Sequence, residues 1–228
     1  LQCPSTTSDT CSGHGRCQYS DRNSRVYETL CSVADQDCIV KCSCDTGYGG
    51  VACSLTGTEL DMRDTTRSAL CMVVVEASRA DDVSYTLLDS LISALYSAYD
   101  PSEVVTTGSR ALCYQAFSIL ADYSAAGYLS EESITLMVDV AAKFVQGAVS
   151  ATTAARRLTS AESANNGSAM INQAVTDIIT GILSNMAEGE APVVYANSQI
   201  ELTVYKSVAS DFTELSAPKS SAINTLVG

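Results

Sequence analysis

The chain has 228 residues, 46% of them hydrophobic, with ten cysteines, one histidine and no tryptophan. Its formal net charge of -13 argues against a nucleic-acid-binding protein and against binding to an anionic membrane through surface charge. No apolar run approaches the length that a bilayer-spanning helix needs. This composition predicts one small disulfide-bonded module followed by one domain with a sizeable core.

Cysteine spacing dominates residues 1–57. The run CSGHGRC occupies residues 11–17, and the run KCSCDTGYGGVAC occupies residues 41–53. So short a segment buries too little apolar surface to fold on its own, so its stability must come from disulfides, which persist outside the reducing cytosol. We therefore expect a secreted or cell-surface protein, with a signal peptide removed ahead of Leu1.

These cysteine runs resemble the epidermal-growth-factor-like (EGF-like) family, with a tenascin-like SGHG turn. The resemblance implies a small β module over residues 1–57. It also implies three disulfides, Cys3–Cys17, Cys11–Cys42 and Cys44–Cys53. Calcium-binding members of the family carry acidic residues just before the first cysteine, whereas Leu1 and Gln2 stand there in this chain. No calcium site is predicted.

Two further cysteines, Cys31 and Cys38, fall in a segment longer than the usual EGF hairpin, and we expect them to close an extra loop there. Eight cysteines admit many pairings, so the sequence leaves this connectivity open. Zinc binding is the rival interpretation, which the CxC spacing and the single histidine, His14, disfavour. His14 lies among turn glycines, where we expect a structural role rather than metal binding or general base catalysis.

Residues 58–190 show the apolar spacing of amphipathic helices. A first helix is predicted near Glu59 to Arg79. A second begins at Asp81 or Asp82 and carries an apolar stripe from Leu87 to Leu95. Short connections predict antiparallel neighbours in a helical bundle.

Polar residues and glycines mark the limits of the later helices. The run Asp100-Pro101-Ser102-Glu103 is typical of a helix start, with a break around Gly108 and a stop at Gly127. Ser130-Glu131-Glu132 predicts the next start, and a last helix is predicted from Ser168 to about Ala187.

Cys71 and Cys113 lie on the apolar stripes of two different predicted helices. A disulfide between them is predicted to staple the helices, contributing on the order of 4 kcal/mol by chain-entropy reasoning. A reactive thiol is the alternative, but no histidine or lysine is placed to activate one.

Residues 191–228 are predicted to form an extended β-strand tail or the start of a β-sandwich. Ile200, Leu202 and Val204 alternate with polar residues, as in a half-buried strand. Because two strands alone are marginally stable, we expect more sheet from the helical domain, from downstream sequence or from another chain.

The order of elements resembles a second group of proteins. The runs DVSYTLLDSLISAL and SQIELTVYKSV, followed by Leu215-Ser216-Ala217-Pro218, are similar to egg-jelly-receptor (REJ) and GAIN-type regions of polycystin-like and adhesion-receptor ectodomains. This resemblance implies a fragment of a receptor ectodomain. The family cleaves itself at a His-Leu-Ser/Thr sequence, which this chain lacks, so self-cleavage is not predicted.

The motifs of enzymes are missing, and the chain is predicted not to be an enzyme, with no catalytic residue, metal site or cofactor. The acidic pairs Asp81-Asp82 and Glu131-Glu132 are explained by helix capping. Six tyrosines are predicted as core-edge or interface residues, with a carbohydrate-stacking face as the alternative: Tyr85, Tyr96, Tyr99, Tyr114, Tyr123 and Tyr128.

One sequon, Asn166-Gly167-Ser168, lies in a polar segment that we expect to be a loop between helices. In a secreted protein, Asn166 is a predicted N-glycosylation site.

The sequence therefore predicts a mainly α fold with a small disulfide-rich β module, divided into residues 1–57, 58–190 and 191–228. The predicted function is that of an extracellular structural or adhesive glycoprotein that binds copies of itself or other extracellular proteins. Assembly by strand addition into a surface filament, similar to the mastigonemes of protist flagella, is the favoured form. A receptor ectodomain fragment and a secreted carbohydrate- or protein-binding module remain alternatives.

Overall fold

The computed structural model describes residues 2–20, 26–27, 38–80, 83–155, 161–197 and 200–206. Within these residues the helices are α1 Gly57–Ala77, α2 Tyr85–Ala98, α3 Thr107–Ala125, α4 Glu131–Ala155 and α5 Ala161–Asn185. The strands are β1 Gly15–Ser20, β2 Val26–Tyr27, β3 Ile39–Cys44, β4 Tyr48–Gly49, β5 Leu55–Thr56, β6 Val193–Ala196 and β7 Glu201–Val204. The fold is mainly α with small antiparallel sheets, as predicted.

The first described residues form two small antiparallel sheets. One has the strand order β2-β1-β3, with Cys17 opposite Cys42 across β1 and β3, and the other pairs β4 with β5. The core of this part is built from half-cystines, with Cys3, Cys11 and Cys53 buried together. Sulfur thus replaces the aliphatic side chains that so short a segment lacks.

Helix α1 follows β5 without a linker. Thr56 is its N-cap: the Thr56 hydroxyl accepts from the Glu59 amide at 3.4 Å, and the Glu59 carboxylate accepts from the Thr56 amide at 2.8 Å. This capping box satisfies two amides that a helix start leaves open. Gly57 N–H also donates to Gly47 O at 2.8 Å, which ties the first turn of α1 to the β4–β5 hairpin.

The five helices enclose one hydrophobic core, and α3 contacts the other four helices. The largest fully buried side chains are Tyr99, Phe117, Phe144, Leu88, Ile92, Leu95, Leu120, Met137 and Ile178. The α3 and α5 backbones approach most closely at Ser124 and Gly181, where an added Cβ on Gly181 would overlap the Ser124 carbonyl. Glycine is therefore required at position 181.

Helix α2 begins later than predicted. Its N-cap is Ser84, whose hydroxyl accepts from the Leu87 amide at 3.2 Å. The predicted caps, Asp81 and Asp82, lie outside the described residues.

The prediction of a helix start at Asp100 is wrong. The Asp100 carboxylate accepts from the Ser102 amide at 2.8 Å and closes a single turn. Helix α3 then begins at Thr107, with Thr106 as its N-cap and Gly108 in its first turn. The reason is a long-range contact, because Asp64 of α1 accepts from the Val105 and Thr106 amides and holds this segment out of the helix.

The predicted stop at Gly127 is confirmed. Gly127 has φ +78°, and its amide donates to Ser124 O while the Tyr128 amide donates to Tyr123 O at 3.0 Å. These two bonds form a Schellman motif, which closes the carbonyl end of α3. The predicted start at Ser130 is also confirmed, since its hydroxyl accepts from the Ser133 amide at 3.2 Å.

Helix α5 begins at Ala161, seven residues before the predicted start at Ser168. The backbone of Asn166 is therefore helical, and the expectation of a loop around the sequon is wrong. Alanines at 161, 164 and 169 favour a helix and offset the cost of Gly167.

Strands β6 and β7 form a hairpin that packs on the bundle. Asn197 makes the turn, with its amide donating to Ile200 O and its side-chain oxygen accepting from Ile200 N, both at 2.8 Å. The predicted alternation holds, because Ile200 and Val204 are buried and Leu202 is half-buried. Tyr195 of β6 joins them in the helical core. The hairpin is thus part of the bundle's core, while residues 207–228 lie outside the described part.

Candidate functional site

The structure contains four disulfides between fully described cysteines, and each was expected from the sequence: Cys3–Cys17, Cys11–Cys42, Cys44–Cys53 and Cys71–Cys113. Cys38 is also disulfide-bonded. The predicted Cys31–Cys38 pair includes Cys31, which lies outside the described residues.

The sulfur atoms of Cys3, Cys11 and Cys42 cluster within 4.8 Å of one another. All three belong to disulfides, and zinc binds thiolates. This cluster therefore supplies covalent crosslinks rather than metal ligands.

His14 packs face to face on Tyr48, with ring centroids 3.7 Å apart and planes 5° from parallel. Its backbone oxygen accepts from the Asp45 amide at 2.9 Å. At the adjacent Gly15, a Cβ would lie 2.6 Å from Ser43 O, so the chain has no room for a side chain there. These contacts account for the only histidine as a structural residue of the module.

The Cys71–Cys113 disulfide joins α1 to α3 across the core. Both cysteines are fully buried. A sulfur in a disulfide is not a nucleophilic thiolate, so the structure favours the staple over the reactive-thiol alternative.

A buried carboxylate connects α1 to the start of α3. Asp64 accepts hydrogen bonds from the Val105 amide at 2.7 Å, the Thr106 hydroxyl at 2.8 Å and the Ser109 hydroxyl at 2.6 Å. Burial acts to raise the pKa of the Asp64 carboxyl, but the bonds from Ser109, Thr106 and Val105 outweigh it and lower the pKa. Asp64 is thus a charged structural cap.

Two arginines of α1, Arg63 and Arg67, also make structural contacts. Glu103 pairs with Arg63 at 2.8 Å and with Arg67 at 2.6 Å. Arg67 also donates to the carbonyls of Ser97 and Ala98, both at 2.9 Å, at the end of α2. These charges fix α1 against α2 and the segment that follows it.

Lys143 of α4 contacts the carbonyl end of α2. Its ammonium donates to Tyr96 O at 2.6 Å and lies 3.6 Å from the centroid of the Tyr96 ring. Burial lowers the Lys143 pKa, while Asp100 acts to raise it. A cation at a helix carbonyl end is favourable, and this contact explains Lys143 without a catalytic role.

The structure divides the six tyrosines into separate groups. Tyr99 and Tyr114 stack around Phe144 in the core, with ring centroids 4.1 and 4.6 Å from the Phe144 ring, and burial raises the pKa of both tyrosines. Tyr96 lies under Lys143. Tyr123 is half-buried and its hydroxyl donates to Ser78 O at 2.8 Å. Tyr85 and Tyr128 remain, exposed over 63% and 49% of their surface and adjacent to each other.

Helix α1 carries an exposed, mostly apolar surface bordered by the exposed charged residues Asp61, Arg63 and Glu76. From Thr65 to Val73 every exposed residue is uncharged, and Met62 lies one turn earlier on the same side. We define the outer face of α1 as Met62, Thr65, Thr66, Ala69, Leu70, Met72 and Val73. Met62 and Val73 are 66% and 61% exposed, and Leu70 and Met72 are each 49% exposed.

The two threonines of this face need no further hydrogen-bond partner. Thr65 Oγ1 donates to Asp61 O and Thr66 Oγ1 donates to Met62 O, each at 2.9 Å within the helix. Covering these hydroxyls therefore leaves no donor unsatisfied. In helix α2, which packs beside α1, the Ser90 and Ser93 hydroxyls likewise donate to backbone carbonyls of their own helix.

The sequence placed Cys71 on the apolar stripe of α1 but did not predict the outer face. The signal was the unbroken apolar run from Leu70 to Val75. A helix at the edge of a bundle buries one side, so part of such a run must be exposed. Cys71, Val74 and Val75 are buried, and the residues between them form the outer face.

No family model, curated protein or solved structure matches this chain. Among the described residues, no helix combines the length and apolarity required to cross a membrane.

Proposed function

We propose that this chain is a non-enzymatic extracellular structural or adhesive protein that assembles with copies of itself through the outer face of α1. The exposure of Met62, Leu70, Met72 and Val73 carries the proposal. Large contiguous apolar patches on a folded protein mark interaction sites.

The net charge limits where a second copy can bind. Each chain carries a net charge of -13, so two copies repel each other over most orientations. Between Thr65 and Val73 the charged residue is Arg67, which is half-buried and paired with Glu103, so facing α1 surfaces bring exposed charges together only near their ends, at Asp61, Arg63 and Glu76. Charged residues also make up 17% of the chain, against roughly 25% in typical domains. The outer face of α1 is therefore the surface on which two copies meet at low electrostatic cost.

Spacing along α1 fits a second helix. Met62, Ala69 and Val73 follow one another by seven and four residues, which places them along one side of the helix. Ala69, the smallest of the three, lies between the two larger side chains and allows a neighbouring helix to approach closely.

The energy of such a contact is modest. Fully burying a Val, Leu or Met side chain is worth roughly 1.5–3 kcal/mol, so covering the exposed halves of four contributes on the order of 4 kcal/mol per copy. Association costs roughly 4–15 kcal/mol in lost freedom. A single pair is thus weakly bound, and repeated contacts along an assembly supply the remaining stability.

The disulfide module supports an extracellular, mechanical role. Crosslinks persist in oxidising compartments, and α1 continues from the module without a linker. The module therefore acts as a rigid extension of the helix that carries the contact surface. A glycan on Asn166 remains a prediction.

Because the hairpin docks on the bundle, we favour a contact between α1 helices over the strand addition that the sequence suggested. Tyr195, Ile200 and Val204 are buried in the bundle, and β6 and β7 pair with each other. Deleting residues 191–228 would remove core side chains and is a poor test of assembly. Point variants on exposed positions avoid this problem.

Sedimentation velocity and electron microscopy of Val73→Glu test the proposal. The wild-type protein is expected to form dimers or larger assemblies as concentration rises, while Val73→Glu stays monomeric because a carboxylate opposes a carboxylate in the contact. The matched control is Thr203→Glu, an exposed position of β7, which is expected to assemble as the wild type does. A monomeric wild type, or a Val73→Glu protein that assembles normally, would rule the proposal out.

A further inference from the structure

Two exposed tyrosine rings lie together at the end of the bundle farthest along α1 from the disulfide module. Tyr85 begins α2 and Tyr128 follows α3, and their ring centroids are 6.1 Å apart with planes inclined at 46°. Tyr123 contacts Tyr128 edge on at 6.4 Å and donates through its hydroxyl to Ser78 O, just after α1. Since α1 has 21 residues, about 30 Å of helix separates this pair from the module.

The backbone on both sides of the pair is rigidly held. Tyr128 occupies the last position of the Schellman motif, and its amide donates to Tyr123 O at 3.0 Å. Tyr85 directly follows Ser84, the N-cap of α2. Two aromatic rings fixed in this way lose little conformational freedom when a ligand covers them.

Polar groups border the rings. Asp89 lies one helical turn after Tyr85, and its Oδ1 accepts from the hydroxyls of Ser130 and Ser133, with Ser130 two residues beyond Tyr128. Within the described part of the chain, the donors to Asp89 all reach Oδ1, which leaves Oδ2 for a ligand hydroxyl. Thr86 Oγ1 lies 3.1 Å from Ser84 Oγ on the other side of Tyr85.

We propose that Tyr85 and Tyr128 form a platform that binds a neutral saccharide. A pyranose ring has apolar C–H faces that pack on aromatic rings, and hydroxyls at its edge that bond to carboxylate and hydroxyl groups. Tyr85 and Tyr128 supply the rings and Asp89 supplies a carboxylate one helical turn from Tyr85, and the apolar body and polar tip of a tyrosine suit a ligand that stays partly solvated. This function goes beyond assembly and uses a different surface.

The local charge selects against acidic sugars. Asp89 is joined at this end by Glu131 and Glu132 in the first turn of α4, while Arg79, which follows Ser78, is paired with Glu76 at 3.5 Å. The chain as a whole carries a net charge of -13. A sialylated or sulfated glycan would be repelled. The ligand class is therefore a neutral oligosaccharide of glucose, galactose, mannose or N-acetylglucosamine units.

A printed array of neutral and acidic oligosaccharides tests the proposal on the whole chain, followed by calorimetry with the neutral sugar that binds best. Tyr85→Ala and Tyr128→Ala are expected to weaken binding about tenfold each, as loss of a favourable aromatic contact predicts. Tyr85→Phe keeps the ring and is expected to bind as the wild type does. Tyr205→Ala is the matched control, because Tyr205 is 39% exposed on the hairpin side.

An array with no neutral hits, binding that survives both alanine variants, or binding confined to acidic glycans would overturn the platform. Binding of the rings to a proline-rich peptide instead of a sugar would also overturn it. None of these results bears on assembly, because the α1 variants and the tyrosine variants change separate surfaces. Assembly is measured by sedimentation, whereas the tyrosine variants are measured by sugar affinity.

Discussion

Asp64 decides where helix α3 begins. Its carboxylate takes the place of a capping side chain for the Val105 and Thr106 amides, across more than 40 residues of sequence. The Thr106 and Ser109 hydroxyls complete the set of donors. Asp64 therefore ties α1 to the start of α3.

Asp64→Asn is expected to destabilise the protein by about 2 kcal/mol at neutral pH, because the amide replaces an ionised acceptor facing several donors. The folded-state pKa is lowered below the unfolded value of about 3.9, so the stabilisation is complete above that pH. It is lost as pH falls through the folded-state pKa, and the gap between wild type and variant narrows there.

Urea unfolding at neutral pH and near pH 3 measures this gap. Asp61→Asn, an exposed change on the same helix, is the control and is expected to alter stability by less than about 0.5 kcal/mol. An Asp64→Asn gap that is as wide near pH 3 as at neutral pH would contradict the assignment.

Two helical glycines give a paired prediction. Gly181→Ala forces a methyl group against the Ser124 carbonyl and is expected to cost about 1–3 kcal/mol. At Gly108 an added Cβ meets nothing within 4 Å, so Gly108→Ala is expected to stabilise the protein by about 0.5–1 kcal/mol. Thermal unfolding compares the two, and changes of the same sign would refute the packing described at Ser124.

At the scale of elements, the Cys71–Cys113 disulfide is the main covalent link within the bundle. It spans 42 residues between α1 and α3. Replacing both cysteines by alanine is expected to cost on the order of 4 kcal/mol by chain entropy. Denaturant unfolding of the double variant measures the loss, and a change below about 1 kcal/mol would show that the link constrains little.

Local signals predicted the elements whose ends depend on nearby residues. The helix stop at Gly127 and the helix start at Ser130 were predicted correctly because a Schellman glycine and a serine cap act within one helical turn. The start at Asp100 was wrong because Asp64, distant in sequence, determines it. Strand β7 was recognisable from the alternation of Ile200, Leu202 and Val204, but the docking of the hairpin on the bundle depends on Tyr195 and Val204 contacting the helices.

The candidate surfaces were harder to predict than the elements. An apolar run such as Leu70 to Val75 specifies a helix but not which of its sides lacks a neighbour. The pairing of Tyr85 with Tyr128 requires the ends of α2 and α3 to meet, which neither segment encodes locally.

At the scale of the whole molecule, net charge opposes assembly and the outer face of α1 promotes it. Raising ionic strength shortens the range of repulsion between chains of charge -13, from about 30 Å at 0.01 M salt to about 8 Å at 0.15 M. The assembled fraction is therefore expected to rise with salt. Sedimentation at several salt concentrations tests this, and dissociation by salt would show that charge attraction holds the copies together.

The most direct test places a photo-crosslinking benzoyl-phenylalanine at Leu70 on the outer face of α1, with the same residue at the exposed Thr180 of α5 as the control. Irradiation of the purified protein, followed by mass spectrometry of the linked peptides, identifies what touches α1. We expect covalent dimers in which position 70 is joined to α1 of a second copy, and no dimers from position 180. Absence of dimers from position 70, or links from it to another face of the protein, would contradict the assignment of α1 as the assembly surface.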